Sequence, residues 1–204
     1  MYAKRKNTQK AVLVLLAVVL VIGCAIGGTI AYLQMKTDPV VNTFTSSDVS
    51  ITLTEDGVDS DNKQSFKMVP GQDIPKNPKV TVVKDSEACY VFVKVEAENG
   101  VVLKNDTDVY AATDYITYAM ADGWTLVNGQ TNVYYKTVDA QTAKTGTYFP
   151  VLKGNQVTVL HTVTKAMMEA AKTTEPKLTF TAYAIQQAGF DTPEAAWTEA
   201  AKLG

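Results

Sequence analysis

The sequence predicts a mainly β protein in which about eight antiparallel strands form two packed sheets. Apolar and polar residues alternate in most segments after residue 45, which is the period-two pattern of half-buried strands. Asn-Gly and Pro-Gly pairs mark turns, and only two short segments have a helical composition. Cys89 is the single cysteine after residue 31, so packing and hydrogen bonds, without an internal disulfide, must hold this fold together.

The first 31 residues have the anatomy of a secretory signal. Basic residues at positions 4, 5, 6 and 10 precede an apolar run over residues 11–26, and two glycines then end the predicted signal helix. Thr29 and Ala31 are small residues at the −3 and −1 positions of a signal-peptidase site, so cleavage would leave Tyr32 as the first residue. We therefore expect a secreted protein, at the cell surface or in the extracellular space, with signal peptidase as its partner during export.

Two other outcomes stay open for this segment. Residues 21–24 (VIGC) match a lipobox, in which Cys24 would be lipidated and become the mature N-terminus. The segment could also remain as an uncleaved anchor. Its strictly apolar part is shorter than the roughly 20 residues that a spanning helix prefers, although residues 11–33 together could span. In each case the only expected membrane contact is through the N-terminal segment.

The charge balance argues against nucleic acid as a partner. The chain has 19 basic and 21 acidic residues, and residues 1–31 contain four of the basic ones and none of the acidic ones. The processed chain would therefore carry 15 basic and 21 acidic residues, a net charge of −6. Nucleic-acid binding needs clustered cations, and the sequence contains no such cluster after residue 31.

Strand-like segments follow one another along the rest of the chain. Residues 88–96 are the strongest, because both faces of their first half are apolar, and this favours a central position. A hairpin is predicted around Asn128 and Gly129. The predicted strands are residues 49–54, 79–83, 88–96, 124–127, 133–138, 147–151, 156–160 and 178–185.

Two helices are expected between and after the strands. Residues 165–172 are good helix formers and predict a short crossover helix over one end of the sandwich. Thr192 is the expected N-cap of a C-terminal helix, with Pro193 in its first turn and Trp197 docking it. The predicted organisation is a signal peptide (1–31), a donor or first-strand segment (32–46), a β-sandwich domain (47–186) and a C-terminal helix (187–204).

Several segments, in this order and spacing, resemble the TasA/camelysin family of exported Gram-positive proteins with SipW-dependent-type signal peptides. The signal end matches (residues 27–33, GGTIAYL), as do residues 42–45 (NTFT) and 69–72 (VPGQ). Residues 88–95 (ACYVFVKV), 181–186 (TAYAIQ) and 195–197 (AAW) continue the pattern. The resemblance covers most of the chain, although each segment alone is a weak motif.

The resemblance implies a jelly-roll-like antiparallel β-sandwich and a role as a fibre subunit of the biofilm matrix or cell surface. In such fibres the mature N-terminal segment adds a strand to the next subunit. The donor segment here would be residues 32–45, with Val40, Val41 and Phe44 filling an acceptor groove. The implied partners are other copies of the chain or a related matrix subunit. Pairing of this segment within its own domain is an equal alternative.

The camelysin branch is described as metalloprotease-like, but the residues do not support catalysis. His161 is the only histidine, so the His-Glu-x-x-His motif of catalytic zinc sites is missing. His161 also lacks the neighbours of a Ser-His-Asp site, and Cys89 lies in an apolar run. Oxygen ligands suffice for calcium or magnesium, and residues 59–62 and 105–108 are the candidate loops for such a site. Neither loop has EF-hand spacing, and loops of this kind are more often solvated turns. We expect no enzyme, no cofactor and no metal.

Two other functions are alternatives to the fibre subunit. One is a monomeric binding domain tethered to the surface by Cys24 or by an uncleaved signal. The other is a camelysin-like metallo-endopeptidase. Tyrosines between residues 110 and 148 could form a carbohydrate platform, although such residues more often pack across strands.

Overall fold

The computed structural model describes residues 10–19, 48–60 and 62–203 of the 204-residue chain. Contacts group the chain into two units, Met1–Thr45 and Ser46–Gly204. In the first unit, residues 10–19 are helical and their side chains are exposed. Across the described residues, every helix is too short or too polar to cross a membrane.

The second unit contains eleven strands and three short α-helices within its described residues. The strands are β1 (Ile51–Thr54), β2 (Asp73–Pro75), β3 (Lys79–Val82), β4 (Cys89–Glu98), β5 (Val101–Leu103), β6 (Ile116–Tyr118), β7 (Thr125–Leu126), β8 (Val133–Val138), β9 (Thr147–Pro150), β10 (Gln156–Val159) and β11 (Lys177–Gln186). The helices are α1 (Ala140–Thr145), α2 (Lys165–Ala170) and α3 (Pro193–Ala200). Single 3₁₀ turns cover Lys153–Asn155 and Ala201–Leu203.

The strands form three sheets, with the orders β1-β3-β9, β2-β10-β6-β5 and β11-β4-β8-β7. All pairs are antiparallel except β5 with β6, which is parallel. A bridge between Met120 and Leu152 links the first two sheets just beyond β6 and β9. The fold is mainly β and consistent with a β-sandwich. The expectation of two wholly antiparallel sheets is wrong, because the strands form three sheets and one pair is parallel. The chain between β5 and β6 crosses back along the sheet, so that these two strands run in the same direction.

Strand β4 occupies the centre, as its composition predicts. It pairs with β11 on one side and with β8 on the other. Cys89, Val91 and Val93 are completely buried in the main core. Tyr90 and Phe92 lie on the opposite face, in a second apolar cluster. A strand with two apolar faces is stable only between two packed layers, which explains this position.

The second cluster lies beneath helix α3. The Thr192 hydroxyl accepts a hydrogen bond from the Ala195 amide at 3.2 Å, which confirms the predicted N-cap. The Trp197 ring centroid lies 5.3 Å from that of Phe92 and 5.2 Å from that of Tyr183. These ring contacts dock α3 on the face of β4 and β11.

Two other local predictions are confirmed. Helix α2 connects β10 to β11, which belong to different sheets, so it is a crossover. The turn at Pro70 and Gly71 is closed by a hydrogen bond from the Gln72 amide to the Val69 carbonyl at 3.0 Å. Gly71 has a φ of 76°, which a type II turn requires at its third position.

Candidate functional site

The candidate catalytic residues do not form a site. His161 is exposed in the turn after β10, and the described residues contain no group of three potential metal ligands that includes it. Cys89 is completely buried, and burial raises the pKa of its thiol to about 11. A thiol with this pKa is protonated at neutral pH and is not a nucleophile.

The two acidic loops use their polar side chains to close turns. In the first, the Asp59 carboxylate accepts a hydrogen bond from the Lys63 amide at 2.8 Å. In the second, the Asn105 side-chain oxygen accepts from the amide and the hydroxyl of Thr107, at 3.2 and 3.0 Å. These bonds are the local pattern of solvated Asx turns.

Most tyrosines of the described residues are buried or half-buried, so they do not form an exposed aromatic platform. Tyr118 and Tyr134 are buried in the main core, and Tyr135 packs against Tyr90 and Phe92. Tyr148 on β9 is different, because 65% of its surface is exposed.

A long strand edge is the most developed candidate for a binding surface. Strand β11 has ten residues and pairs with β4 along its full length, from Lys177 opposite Glu98 to Gln186 opposite Cys89. At about 3.3 Å per residue, it is about 33 Å long. Within residues 48–60 and 62–203, no strand pairs with its other side, which we call the β11 edge.

The register defines which backbone groups face the β11 edge. The Gln187 amide donates to the Ala88 carbonyl at 2.8 Å, just beyond the end of the ladder. In an antiparallel pair, hydrogen-bonded and non-hydrogen-bonded residue pairs alternate. The odd-numbered residues of β11 therefore bond to β4. The even-numbered residues turn their N–H and C=O groups outward, and they include Leu178, Phe180, Ala182 and Ala184.

The side chains of these same residues are incompletely covered. Leu178, Phe180, Ala182 and Ala184 point into the main core but are only half-buried. In contrast, Val91 and Val93 on the neighbouring strand β4 are completely buried. The apolar row of β11 therefore retains surface that a further strand would cover.

Strand β1 borders the same side of the fold. It lies beside β11 and is the edge strand of its own sheet. The Val83 amide donates to the Ser50 carbonyl at 2.9 Å, and by the same alternation the backbone groups of Ile51 and Leu53 face away from β3. Their side chains are half-buried against the main core. Two edge strands with partly covered apolar rows thus lie next to each other.

An ion pair stabilises this border. The Lys76 ammonium lies 3.1 and 3.0 Å from the two Glu55 carboxylate oxygens, and both side chains are 13% exposed. The same ammonium lies 5.6 Å from the ring centroid of Phe180 and 5.8 Å from that of Phe66. Cation–π contacts of this kind fix the ring of Phe180 in place. The sequence gives no local signal for this group, because its members are far apart in the chain.

The edge of β9 is closed to strand addition at Pro150. Proline has no amide hydrogen, and the Pro150 carbonyl accepts a hydrogen bond from the Trp124 indole at 2.8 Å. The Lys136 ammonium lies 5.4 Å from the Trp124 ring centroid and 5.5 Å from that of Phe149. Burial lowers the pKa of Lys136, and the nearby Asp122 partly opposes this shift.

The predicted signal, lipidation and donor residues lie outside the described residues. They are Thr29, Ala31, Tyr32, Cys24, Val40, Val41 and Phe44. The described residues therefore include the β11 edge but not the segment that is predicted to donate a strand.

The chain was compared with models of protein families, with curated proteins and with solved structures, and none of them matches it.

Proposed function

We propose that this chain is a secreted structural protein whose subunits assemble into fibres by N-terminal strand donation, as in the TasA/camelysin family that it resembles. In this proposal the domain is a jelly-roll-like sandwich, and the β11 edge accepts residues 32–45 of the next subunit. The observation that supports it is the ten-residue β11 edge with its half-buried apolar row.

The donor segment has suitable length and chemistry for this edge. It has 14 residues against the ten of β11. In an extended strand Val40 and Phe44 share one face, so both could cover part of the half-buried apolar row of β11. Each apolar side chain that becomes buried contributes about 1.5–3 kcal/mol. Pro39 lacks an amide hydrogen, so the paired part would begin after it.

Backbone pairing would add to this apolar contact. The outward N–H and C=O groups of β11 would replace their hydrogen bonds to water with hydrogen bonds to the donor strand. Each such hydrogen bond contributes about 1 kcal/mol net. The enzyme alternative receives no support from the described residues, because His161 and Cys89 lie apart from any ligand cluster. We propose a structural role without catalysis or cofactor.

Two variants of the processed chain, which begins at Tyr32, test the proposal. Deletion of residues 32–45 removes the donor and should leave a folded monomer without filaments in electron microscopy. Ala182→Pro blocks the acceptor, because the amide of Ala182 faces outward and its loss breaks no bond to β4. This variant should also remain folded and fail to form filaments.

A mixture of the two variants provides the sharper measurement. The Ala182→Pro chain still has a donor, and the deleted chain still has an acceptor, so together they should form one-to-one dimers that do not extend. Analytical ultracentrifugation would detect these dimers. Thr181→Pro is the matched control: its amide bonds to β4, so this substitution should destabilise the fold itself by about 3 kcal/mol.

Two outcomes would contradict the proposal. Filaments of normal abundance from the deleted chain would rule out strand donation. Filaments from a folded Ala182→Pro chain would show that the acceptor is not the β11 edge.

A further inference from the structure

An open groove crosses the outer face of the β1-β3-β9 sheet, away from the β11 edge. Along β3, Val80 and Val82 point into the core, so Lys79 and Thr81 point outward. The register places Tyr148 of β9 opposite Thr81, and Pro150 opposite Lys79. Asn77, Lys84 and Asn155 extend the lining beyond the strands.

Tyr148 presents an unused aromatic face in this groove. It is the only tyrosine among the described residues with a largely exposed side chain. Thr81 lies beside it on β3, and Thr52 lies beside Thr81 on β1, so one row of the sheet carries an aromatic ring and two hydroxyl groups. An exposed ring next to hydroxyl and amide groups suits a sugar, which has one apolar face and a rim of hydroxyls.

The charge of the groove is opposite to that of the chain. Lys79 and Lys84 line it, and none of its lining residues is acidic. Lys79 lies 3.6 Å from the Asp56 carboxylate, which also accepts a hydrogen bond from the Asn77 amide at 2.7 Å. Lys84 has no ion pair with any described residue. The free positive charge of the groove is therefore at the Lys84 end, and Tyr148 lines the same groove.

We infer that this groove binds an acidic polysaccharide made of hexuronate sugars. One sugar ring stacks on Tyr148, a carboxylate of the same oligosaccharide pairs with Lys84, and its hydroxyls bond to Thr81, Asn77 and Asn155. Two lysines are too few for nucleic acid, which is held by an extended series of phosphate contacts. A peptide would need buried apolar anchors, and the groove offers only one ring on an open surface. This inference does not rest on strand donation.

Titration calorimetry of the full chain with polygalacturonate oligosaccharides tests the inference. Tyr148→Ala should weaken binding at least tenfold, whereas Tyr148→Phe keeps the ring and should bind within twofold of the original chain. Lys84→Gln should weaken binding about fivefold and flatten its salt dependence. Lys172→Gln is the matched control, since this exposed lysine lies after α2 and outside the groove.

Two further measurements decide the ligand class and separate it from fibre assembly. The methyl-esterified oligosaccharide, which lacks the carboxylates, should bind at least fivefold more weakly. Ala182→Pro should bind polygalacturonate normally, because its substitution is on another sheet. The inference would be overturned by unchanged affinity of Tyr148→Ala, by tighter binding of single-stranded DNA, or by no binding of either polygalacturonate or alginate oligosaccharides.

Discussion

Burial determines the chemistry of individual side chains in this domain. Cys89 and Tyr118 both lie in the main core, and burial raises their pKa values to about 11 and about 12. Both groups are therefore neutral over the whole physiological range. The residue that the sequence offers as a cysteine nucleophile is instead a small apolar contact of β4.

The Cys89 thiol should make the fold less stable in alkaline solution. The folded-state pKa of about 11 lies above the usual value of 9.0, so below pH 9 the ionisation of this thiol does not change the free energy of unfolding. Between pH 9 and 11 the unfolded chain loses the proton first, and stability falls by about 1 kcal/mol per pH unit. Urea unfolding at pH 8, 9 and 10 measures this.

The matched control for this measurement is Cys89→Ala. It is less stable at every pH because a cavity forms, but its stability should decline less between pH 9 and 10. Equal slopes for the two chains would show that the thiol ionises normally in the folded protein.

At the scale of elements, the local alternation of apolar and polar residues and the local capping residues specify most of the strands and helices. Strands β1, β3, β4, β8, β9, β10 and β11 and helices α2 and α3 all begin within about two residues of the predicted positions. Strands β2, β5 and β6 have only three residues each, too few for a period to be visible. Helix α1 was missed because its sequence, AQTAKT, is polar; its stability comes from Asp139, whose carboxylate accepts from the Thr142 amide at 2.8 Å.

The C-terminal helix should depend measurably on its cap. Thr192→Ala removes the hydroxyl that accepts from the Ala195 amide, which should lower the free energy of unfolding by about 1 kcal/mol. Thr198→Ala in the same helix is the control. Its hydroxyl donates back to the Glu194 carbonyl, and its loss should cost less than about 0.5 kcal/mol. Equal effects in chemical denaturation would contradict the assignment of Thr192 as the cap.

The edge position of β11, on which the proposed acceptor role depends, could not be predicted from the sequence, although the strand itself could. Residues 178–185 read as a strand with apolar residues on both faces, a pattern that occurs both inside a sheet and at its rim. Whether Ala182 faces a neighbour or solvent depends on which distant segments pair with β11, and no local period contains that information. The groove at Tyr148 was hidden for the same reason, because Lys79 and Tyr148 become neighbours only through the β3–β9 register.

At the scale of the whole molecule, net charge would act on the proposed assembly and on the proposed ligand binding in opposite directions. A chain processed at Tyr32 would carry a net charge of −6, so its subunits would repel one another. Salt shortens the screening length from about 30 Å at 0.01 M to about 8 Å at 0.15 M. Repulsion between subunits should therefore weaken as the salt concentration rises. Attraction between the groove that contains Lys84 and an anionic polysaccharide should weaken as well.

We expect the critical concentration for filament formation to fall several-fold between 10 and 150 mM NaCl, as measured by sedimentation of the processed chain. Over the same range the affinity for polygalacturonate should decrease. If both quantities changed in the same direction, net charge would not be the dominant long-range effect on assembly.

The proline at the end of β9 has a consequence for the form of the proposed polymer. Pro150 lacks an amide hydrogen and its carbonyl is held by the Trp124 indole, so this end of the β9 edge cannot pair with a further strand. In the proposed polymer, neighbouring threads would therefore not join through the backbone of β9 at this point. Cross-links between threads could instead form through ligands bound on the outer faces of the subunits. A single sugar chain that lies in the grooves of many subunits is a linker of that kind.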